Sequence, residues 1–130
     1  MFVPRQSRFS HYLELNATGS DFMFHRFQSL NISKSGLLIA SSDVVTFNKF
    51  DLLHLVIDPW EEYLDGCIPC TAIVARKAKF PSKKLKEYRK ALNLPDDLQT
   101  VYGLYIDYMA RGDLMKWVAY NNNLRQDKAV

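Results

Sequence analysis

This chain of 130 residues has few cysteines, no long apolar run and only a small excess of one charge. Its two cysteines form at most a single pair, which excludes a disulfide scaffold. No apolar run approaches the roughly 20 residues of a membrane-spanning helix. The N-terminal arginines are not followed by the apolar segment of a secretion signal. We therefore expect a cytoplasmic protein without membrane insertion.

The charge is mild, with a formal net charge of +3 and a pI near 8.9. This balance slightly favours anionic partners, but it lacks the dense basic footprint of a nucleic-acid-binding protein. We therefore expect no DNA or RNA partner. With 48% hydrophobic and 24% charged residues, the composition is that of an ordinary globular protein. The length suits one domain that spans residues 1–130.

Recognisable catalytic motifs are also lacking. We find no glycine-rich phosphate loop, no nucleophile elbow and no histidine-bearing metal motif. The acidic pairs Glu61–Glu62 and Asp96–Asp97 are adjacent residues in turn-like context. Neighbours on a strand point to opposite faces, so these pairs make poor acid–base partners. The sequence therefore predicts no enzyme, no metal site and no cofactor.

Cys67 and Cys70 have the spacing of a redox dithiol or of half a zinc site. A redox pair needs a helix N-terminus to lower the thiol pKa, and this pair precedes an apparent strand. A zinc site needs two further ligands, and the histidines are scattered singly. Core or edge cysteines are the favoured interpretation.

Short strands separated by polar turns make up most of the chain. Apolar alternation and aromatic or β-branched residues mark the strands, and the second strand is expected to contain a bulge near Arg26. Such a pattern is typical of a barrel or a sandwich. The predicted strands are Phe9–Leu15, Phe22–Leu30, Leu37–Ala40, Leu52–Ile57, Ile68–Ala75 and Tyr102–Tyr108.

Two segments have helical periodicity. The first helix is predicted at 82–94, within a helical insertion at 81–100, and Ser82 is its expected N-cap. One face of this helix is basic and is either solvated or a surface for a partner. That face comprises Lys83, Lys84, Lys86, Arg89 and Lys90. The second covers 113–124, and we expect it to pack through Leu114, Trp117 and Val118.

Two short polar stretches have chemistry suited to a nucleotide. Arg5 and Arg8 precede the first strand, and Asn31, Ser33 and Gly36 interrupt the strands that follow. Guanidinium groups bind phosphates and purine edges. Hydroxyl and amide groups read base edges, and glycine permits close approach of the backbone to a ligand. Turn chemistry alone also explains the second stretch.

These stretches resemble the motifs of the PilZ family, bacterial receptor domains for cyclic di-GMP. The family carries Arg-x-x-x-Arg before its first strand and Asp/Asn-x-Ser-x-x-Gly in the next strands. "NISKSG" matches the second motif, and "FDLLHLVIDP", "TAIVARKAKF" and "VYGLYIDYM" are similar to later strands of the family. The resemblance covers nearly the whole chain.

The resemblance implies a six-stranded antiparallel β-barrel, classed as all-β with added helices, and a flexible arm at 1–8. It implies that Arg5, Arg8, Asn31, Ser33 and Gly36 bind cyclic di-GMP. Two departures stand out. "RQSR" has one residue too few between its arginines, and asparagine replaces the commoner aspartate. The alternative is a PilZ-like adaptor without ligand. Both hypotheses include a protein partner of unknown identity.

Overall fold

The computed structural model describes residues 9–10, 13–19, 22–43, 45–58, 67–79, 83–92, 94, 98 and 100–128. Neither helix among them has the length and hydrophobicity needed to cross a membrane. In chain order the elements are β1 (Phe9–Ser10), β2 (Glu14–Thr18), β3 (Phe24–Ile32), β4 (Gly36–Ser41), β5 (Leu52–Asp58), β6 (Ile68–Lys79), α1 (Lys83–Leu92), β7 (Thr100–Tyr108) and α2 (Arg111–Lys128).

The strands form a closed antiparallel barrel. Their order is β1-β3-β2-β5-β6-β7-β4, and an additional pairing of β3 with β4 closes the sheet. β1 and β2 lie one after the other along the same edge of β3, so the barrel wall has six positions. The predicted six-stranded antiparallel barrel with added helices is confirmed.

The first predicted strand, Phe9–Leu15, is divided between β1 and β2. Next to the division, the Leu13 N–H donates to the Ser29 hydroxyl at 2.7 Å, and the Ser29 N–H donates to the Leu13 carbonyl at 2.8 Å. Ser29 is fully buried. Its hydroxyl therefore replaces a main-chain acceptor where the regular ladder stops, because a buried N–H without a partner is costly.

α2 contributes to the core through two stacked aromatic side chains. Trp117 and Tyr120 are fully buried, with ring centroids 5.9 Å apart. They belong to the larger hydrophobic cluster, the inner core, which also contains Leu15, Phe27 and Ile39. The predicted bounds of 113–124 were too short, since the helix covers Arg111–Lys128. The predicted packing was right for Trp117 and wrong for Leu114, which is 42% exposed. Tyr120, which the apolar pattern did not select, packs beside Trp117 in its place.

The connection between β4 and β5 is fixed to the barrel by Tyr102 on β7. The Tyr102 hydroxyl donates to the Val45 carbonyl at 2.8 Å and accepts from the Phe47 N–H at 2.7 Å. Burial raises the pKa of Tyr102, and the Phe47 hydrogen bond opposes that rise. A Cβ atom at Gly19 would lie 2.9 Å from the Phe47 ring, so any residue other than glycine would displace this ring.

The insertion between β6 and β7 covers part of the outer barrel surface. Its helix, predicted at 82–94, is α1 at Lys83–Leu92, while the predicted cap Ser82 lies outside the described residues. Lys86 and Lys90 are exposed, as the predicted basic face requires. Leucines after the helix pack against outward-facing strand residues in a second cluster, the outer cluster. It comprises Leu30, Leu38, Ala40, Leu94, Leu98 and Val101, with Leu92 beside it.

The bulge in β3 lies further along the strand than predicted. Arg26, where the sequence predicted it, pairs regularly with Asn16. The register with β4 instead shifts between Ser29 and Asn31, so Leu30 is the extra residue. No sequence signal separates these positions, because the bulge depends on pairing with a second strand.

The bulge at Leu30 decides which way Asn31 points. Phe27 and Ile32 both belong to the inner core although they lie five positions apart, an odd spacing. A regular strand alternates faces, so one of the two would otherwise point outward. After the bulge, Asn31 pairs with Leu38 of the outer cluster and shares its outward face.

Candidate functional site

The turn between β3 and β4 is organised by the Ser33 side chain. The Ser33 hydroxyl accepts hydrogen bonds from the N–H groups of Gly36, at 3.1 Å, and Ser35, at 3.3 Å. The Ser33 N–H also donates to the Gly36 carbonyl at 2.9 Å. Ser33 is 1% exposed. The hydroxyl therefore determines the shape of the turn as well as being available for ligand chemistry.

β7 holds the same turn from the opposite side. The Ile106 N–H donates to the Ser35 carbonyl at 2.8 Å, and Gly36 pairs with Tyr105. The turn is therefore hydrogen-bonded both internally and to a neighbouring strand. Such support fixes backbone groups in place before a ligand arrives, and pre-organisation favours binding.

β1 lies directly beside this turn. Phe9 pairs with Ile32, and Ser10 pairs with Asn31. Arg8 is covalently bonded to Phe9, and both Arg5 and Arg8 lie outside the described residues. The barrel topology thus brings the chain segment that follows the arginines to the strand that enters the turn.

The structure brings together three of the five predicted site residues. Asn31, Ser33 and Gly36 lie within one hairpin on β3 and β4. Asn31 is outward-facing by its register but only 5% exposed. A ligand that bonds the Asn31 amide therefore meets a site already enclosed by protein.

Two residues that the sequence did not reveal share the outer face of the barrel near this hairpin. Arg76 on β6 is in register with Gly103, and Tyr105 on β7 is in register with Gly36. Both side chains are exposed. Only the pairing of four strands places them near Asn31, so no local motif could have indicated them.

The cysteine spacing has a structural explanation. Both cysteines are thiols; Cys67 is exposed, and Cys70 is buried in the inner core. Burial raises the pKa of Cys70 to about 12, and the charge of Asp113 adds to the rise. A thiol that stays protonated at neutral pH is a poor nucleophile, which argues against a redox pair. The interpretation of Cys70 as a core cysteine is confirmed.

Other candidate chemistry is sparse in the part of the chain that the structure describes. No group of three or more histidine, cysteine or acidic side chains there is arranged to hold a metal ion. The acidic pairs Glu61–Glu62 and Asp96–Asp97 lie outside the described residues. The hairpin at 31–36 and the outer face beside it therefore remain the strongest candidate site.

Neither a family model nor a curated protein matches the chain, whereas solved structures do. The Bacillus subtilis inhibitor of motility, MotI/DgrA, has a TM-score of 0.73 at 21% identity, over 98% of this chain and 53% of that one. Apo MrkH of K. pneumonia has a TM-score of 0.68 at 14% identity, over 99% and 54%. The PilZ domain with c-di-GMP of YcgR from Escherichia coli has 0.63 at 10% identity, over 98% of each chain.

These similarities establish a PilZ-type domain fold, as the sequence resemblance predicted. The chain spans about half the length of the motility inhibitor and of MrkH. It matches the YcgR PilZ domain over nearly its full length.

Proposed function

We propose that this domain is a non-catalytic bacterial receptor for cyclic di-GMP. The YcgR domain that shares its fold is described with c-di-GMP. At 10% identity that similarity supports the fold, so the proposal for this chain depends on its own residues. It requires that the arginine arm and the 31–36 hairpin act on one ligand.

One observation carries the proposal. β1 pairs with the end of β3, so the residue that follows Arg8 lies opposite Ile32, next to the NxSxxG turn. Arg8 directly precedes Phe9 in the sequence, so we propose that its guanidinium reaches a ligand held at this turn.

The arginines bind phosphate and guanine in this proposal. A guanidinium group forms paired hydrogen bonds with a phosphate and with the O6 and N7 acceptors of guanine. Arg8 contributes more than Arg5, since it adjoins a strand whose register is fixed. Arg5 brings three further residues into order, at about 1–2 kcal/mol of backbone entropy each.

The hairpin residues bind the second part of the ligand. The Asn31 amide oxygen accepts from the guanine edge, and its NH₂ group donates. The Ser33 hydroxyl accepts two N–H groups of the turn and keeps its own hydrogen to donate, either to the Gly36 carbonyl at 3.4 Å or to a ligand. Gly36 lets the ligand approach the backbone closely.

Ligand binding then orders the N-terminal arm against the barrel and changes the surface that a protein partner meets. Order–disorder transitions of a segment are an established class of switch. We propose a cytoplasmic signalling role of this kind. The exposed basic side of α1, with Lys86 and Lys90, is a second surface open to a partner.

Calorimetric titration of the purified protein with cyclic di-GMP tests the proposal. We expect saturable heat with cyclic di-GMP and markedly weaker binding of cyclic di-AMP, because adenine presents an N6 amino donor where guanine presents the O6 acceptor. Absence of heat, together with unchanged amide resonances at saturating ligand, rejects the receptor function.

The second candidate function is a PilZ-like adaptor that acts through protein contact without ligand. Two observations favour it: the spacing of Arg5 and Arg8 is one residue short, and Asn31 is only 5% exposed. The titration separates the two functions, since an adaptor gives no ligand response.

A further inference from the structure

We propose that Arg76 and Tyr105 form an additional part of the ligand site, on the outer face of β6 and β7. In this arrangement a guanine stacks on Tyr105, and the Arg76 guanidinium binds the adjacent phosphate or base edge. The inference rests on the proposed binding of cyclic di-GMP and extends the site beyond the arginine arm and the hairpin.

A row of paired residues connects Asn31 to Arg76 across the barrel surface. Asn31 pairs with Leu38, Leu38 pairs with Gly103, and Gly103 pairs with Arg76. Leu38 belongs to the outer cluster, and paired residues share a face, so the whole row faces outward. Leu38 itself is covered, at 6% exposure, so the accessible part of this face is the part at Arg76 and Tyr105. Since neighbouring strands lie about 4.8 Å apart, Asn31 and Gly103 are separated by roughly 10 Å.

Arg76 lies along this row and shortens the distance to Asn31. A Cβ atom added to Gly103 would lie 2.7 Å from the Arg76 Cγ and 2.8 Å from its Nε. The Arg76 side chain therefore extends from β6 over Gly103 on β7, where only a glycine leaves room for it. Within the described part of the chain, its guanidinium has no ion pair or hydrogen bond. An exposed cation that has no partner among the described residues is suited to an anionic ligand.

Tyr105 borders the same surface on the side of the hairpin. It lies two residues from Gly103 on β7, so both point outward. Its partners are Gly36 on β4 and Ile73 on β6, and 47% of the tyrosine is exposed. Glycine on one side and a half-buried isoleucine on the other leave the ring open to stacking. Aromatic rings bind nucleobases by stacking, and arginine binds guanine edges.

The competing explanation is purely structural, with the Arg76 stem acting as a cover for Gly103. The variant Arg76→Met separates the two, because methionine keeps an unbranched apolar stem and removes the guanidinium. Gly103→Ala is the complementary variant, since the added Cβ displaces the arginine without changing it. Tyr105→Leu keeps an apolar side chain and removes the stacking surface.

The experiment is a parallel calorimetric titration of the unmodified chain and these variants with cyclic di-GMP. Lys77→Met, adjacent to Arg76, and Tyr108→Leu, on the same strand as Tyr105, are matched controls for loss of an exposed cation or aromatic ring. We expect Arg76→Met and Gly103→Ala to lose roughly tenfold in affinity and Tyr105→Leu about fivefold, while the controls stay within about twofold.

The outcomes distinguish this inference from the function on which it rests. Failure of the unmodified chain to bind overturns both. Normal binding by the unmodified chain, Arg76→Met and Tyr105→Leu overturns only the inference and leaves the receptor function in place. Thermal melts establish that each variant is folded. A larger loss of affinity in the target variants than in the controls supports the additional subsite.

Discussion

At the scale of single residues, Ser33 combines a structural contact with a proposed ligand contact. Its hydroxyl accepts a hydrogen bond from the N–H of Gly36, the first residue of β4. The family motif alone does not show this, because a motif gives identities without geometry. The serine is explained by the turn as well as by the ligand.

We predict that Ser33→Ala lowers the free energy of unfolding by about 1–3 kcal/mol, because the buried Gly36 N–H loses its acceptor. Denaturant unfolding measures the loss. Ser35→Ala is the matched control, since among the described residues the Ser35 hydroxyl is hydrogen-bonded only to the Ser33 hydroxyl, at 3.4 Å. Equal stability of Ser33→Ala and Ser35→Ala contradicts the structural role of Ser33, whatever either variant does to ligand binding.

The two thiols differ in burial, and this leads to a prediction about pH. The pKa of Cys70 is about 12 in the folded chain and 9.0 when exposed. A raised folded pKa means that stability is fully present below about pH 9 and is lost as the pH rises towards 12. We predict that Cys70→Ala reduces this alkaline loss of stability, measured by urea unfolding at a series of pH values.

We also predict that alkylation of the native chain labels Cys67 and spares Cys70. Rapid labelling of Cys70 would contradict its burial.

At the scale of elements, α2 is held to the barrel by its aromatic side chains. We predict that Trp117→Ala costs about 3–5 kcal/mol, because this side chain is fully buried in the inner core. Leu114→Ala, in the same helix, is the matched control and costs much less, since Leu114 is 42% exposed. A denaturant melt compares the two, and similar losses would show that the helix is docked through a different face.

Apolar or alternating segments between polar turns made most of the strands predictable from sequence. The faces of β4 were not, because Leu37 to Ala40 are all apolar, and only the structure places Leu37 and Ile39 in the inner core and Leu38 and Ala40 in the outer cluster. The bulge at Leu30 was misplaced because it is defined by pairing with β4, which no single strand records. For the candidate site, local motifs identified the hairpin, whereas Arg76 depends on the register of β6 with β7.

At the scale of the whole molecule, the closed barrel gives a rigid surface to which an arm can dock. The hairpin at 31–36 is bonded to itself and to β7, and β1 pairs with the adjoining end of β3. We propose that the barrel provides ligand specificity and that the arm transmits the signal. In the sequence, Arg8 directly precedes the first strand of the barrel.

Calorimetric comparison of the unmodified chain with Arg8→Ala, both titrated with cyclic di-GMP, tests this account most directly. A charge-assisted contact contributes about 1.5–3 kcal/mol, so we predict that Arg8→Ala loses at least about tenfold in affinity. Arg5→Ala, in the same arm, is the control and loses less, because its contact is offset by the ordering of the arm. Tight binding by the unmodified chain and an equal affinity for Arg8→Ala would contradict the account.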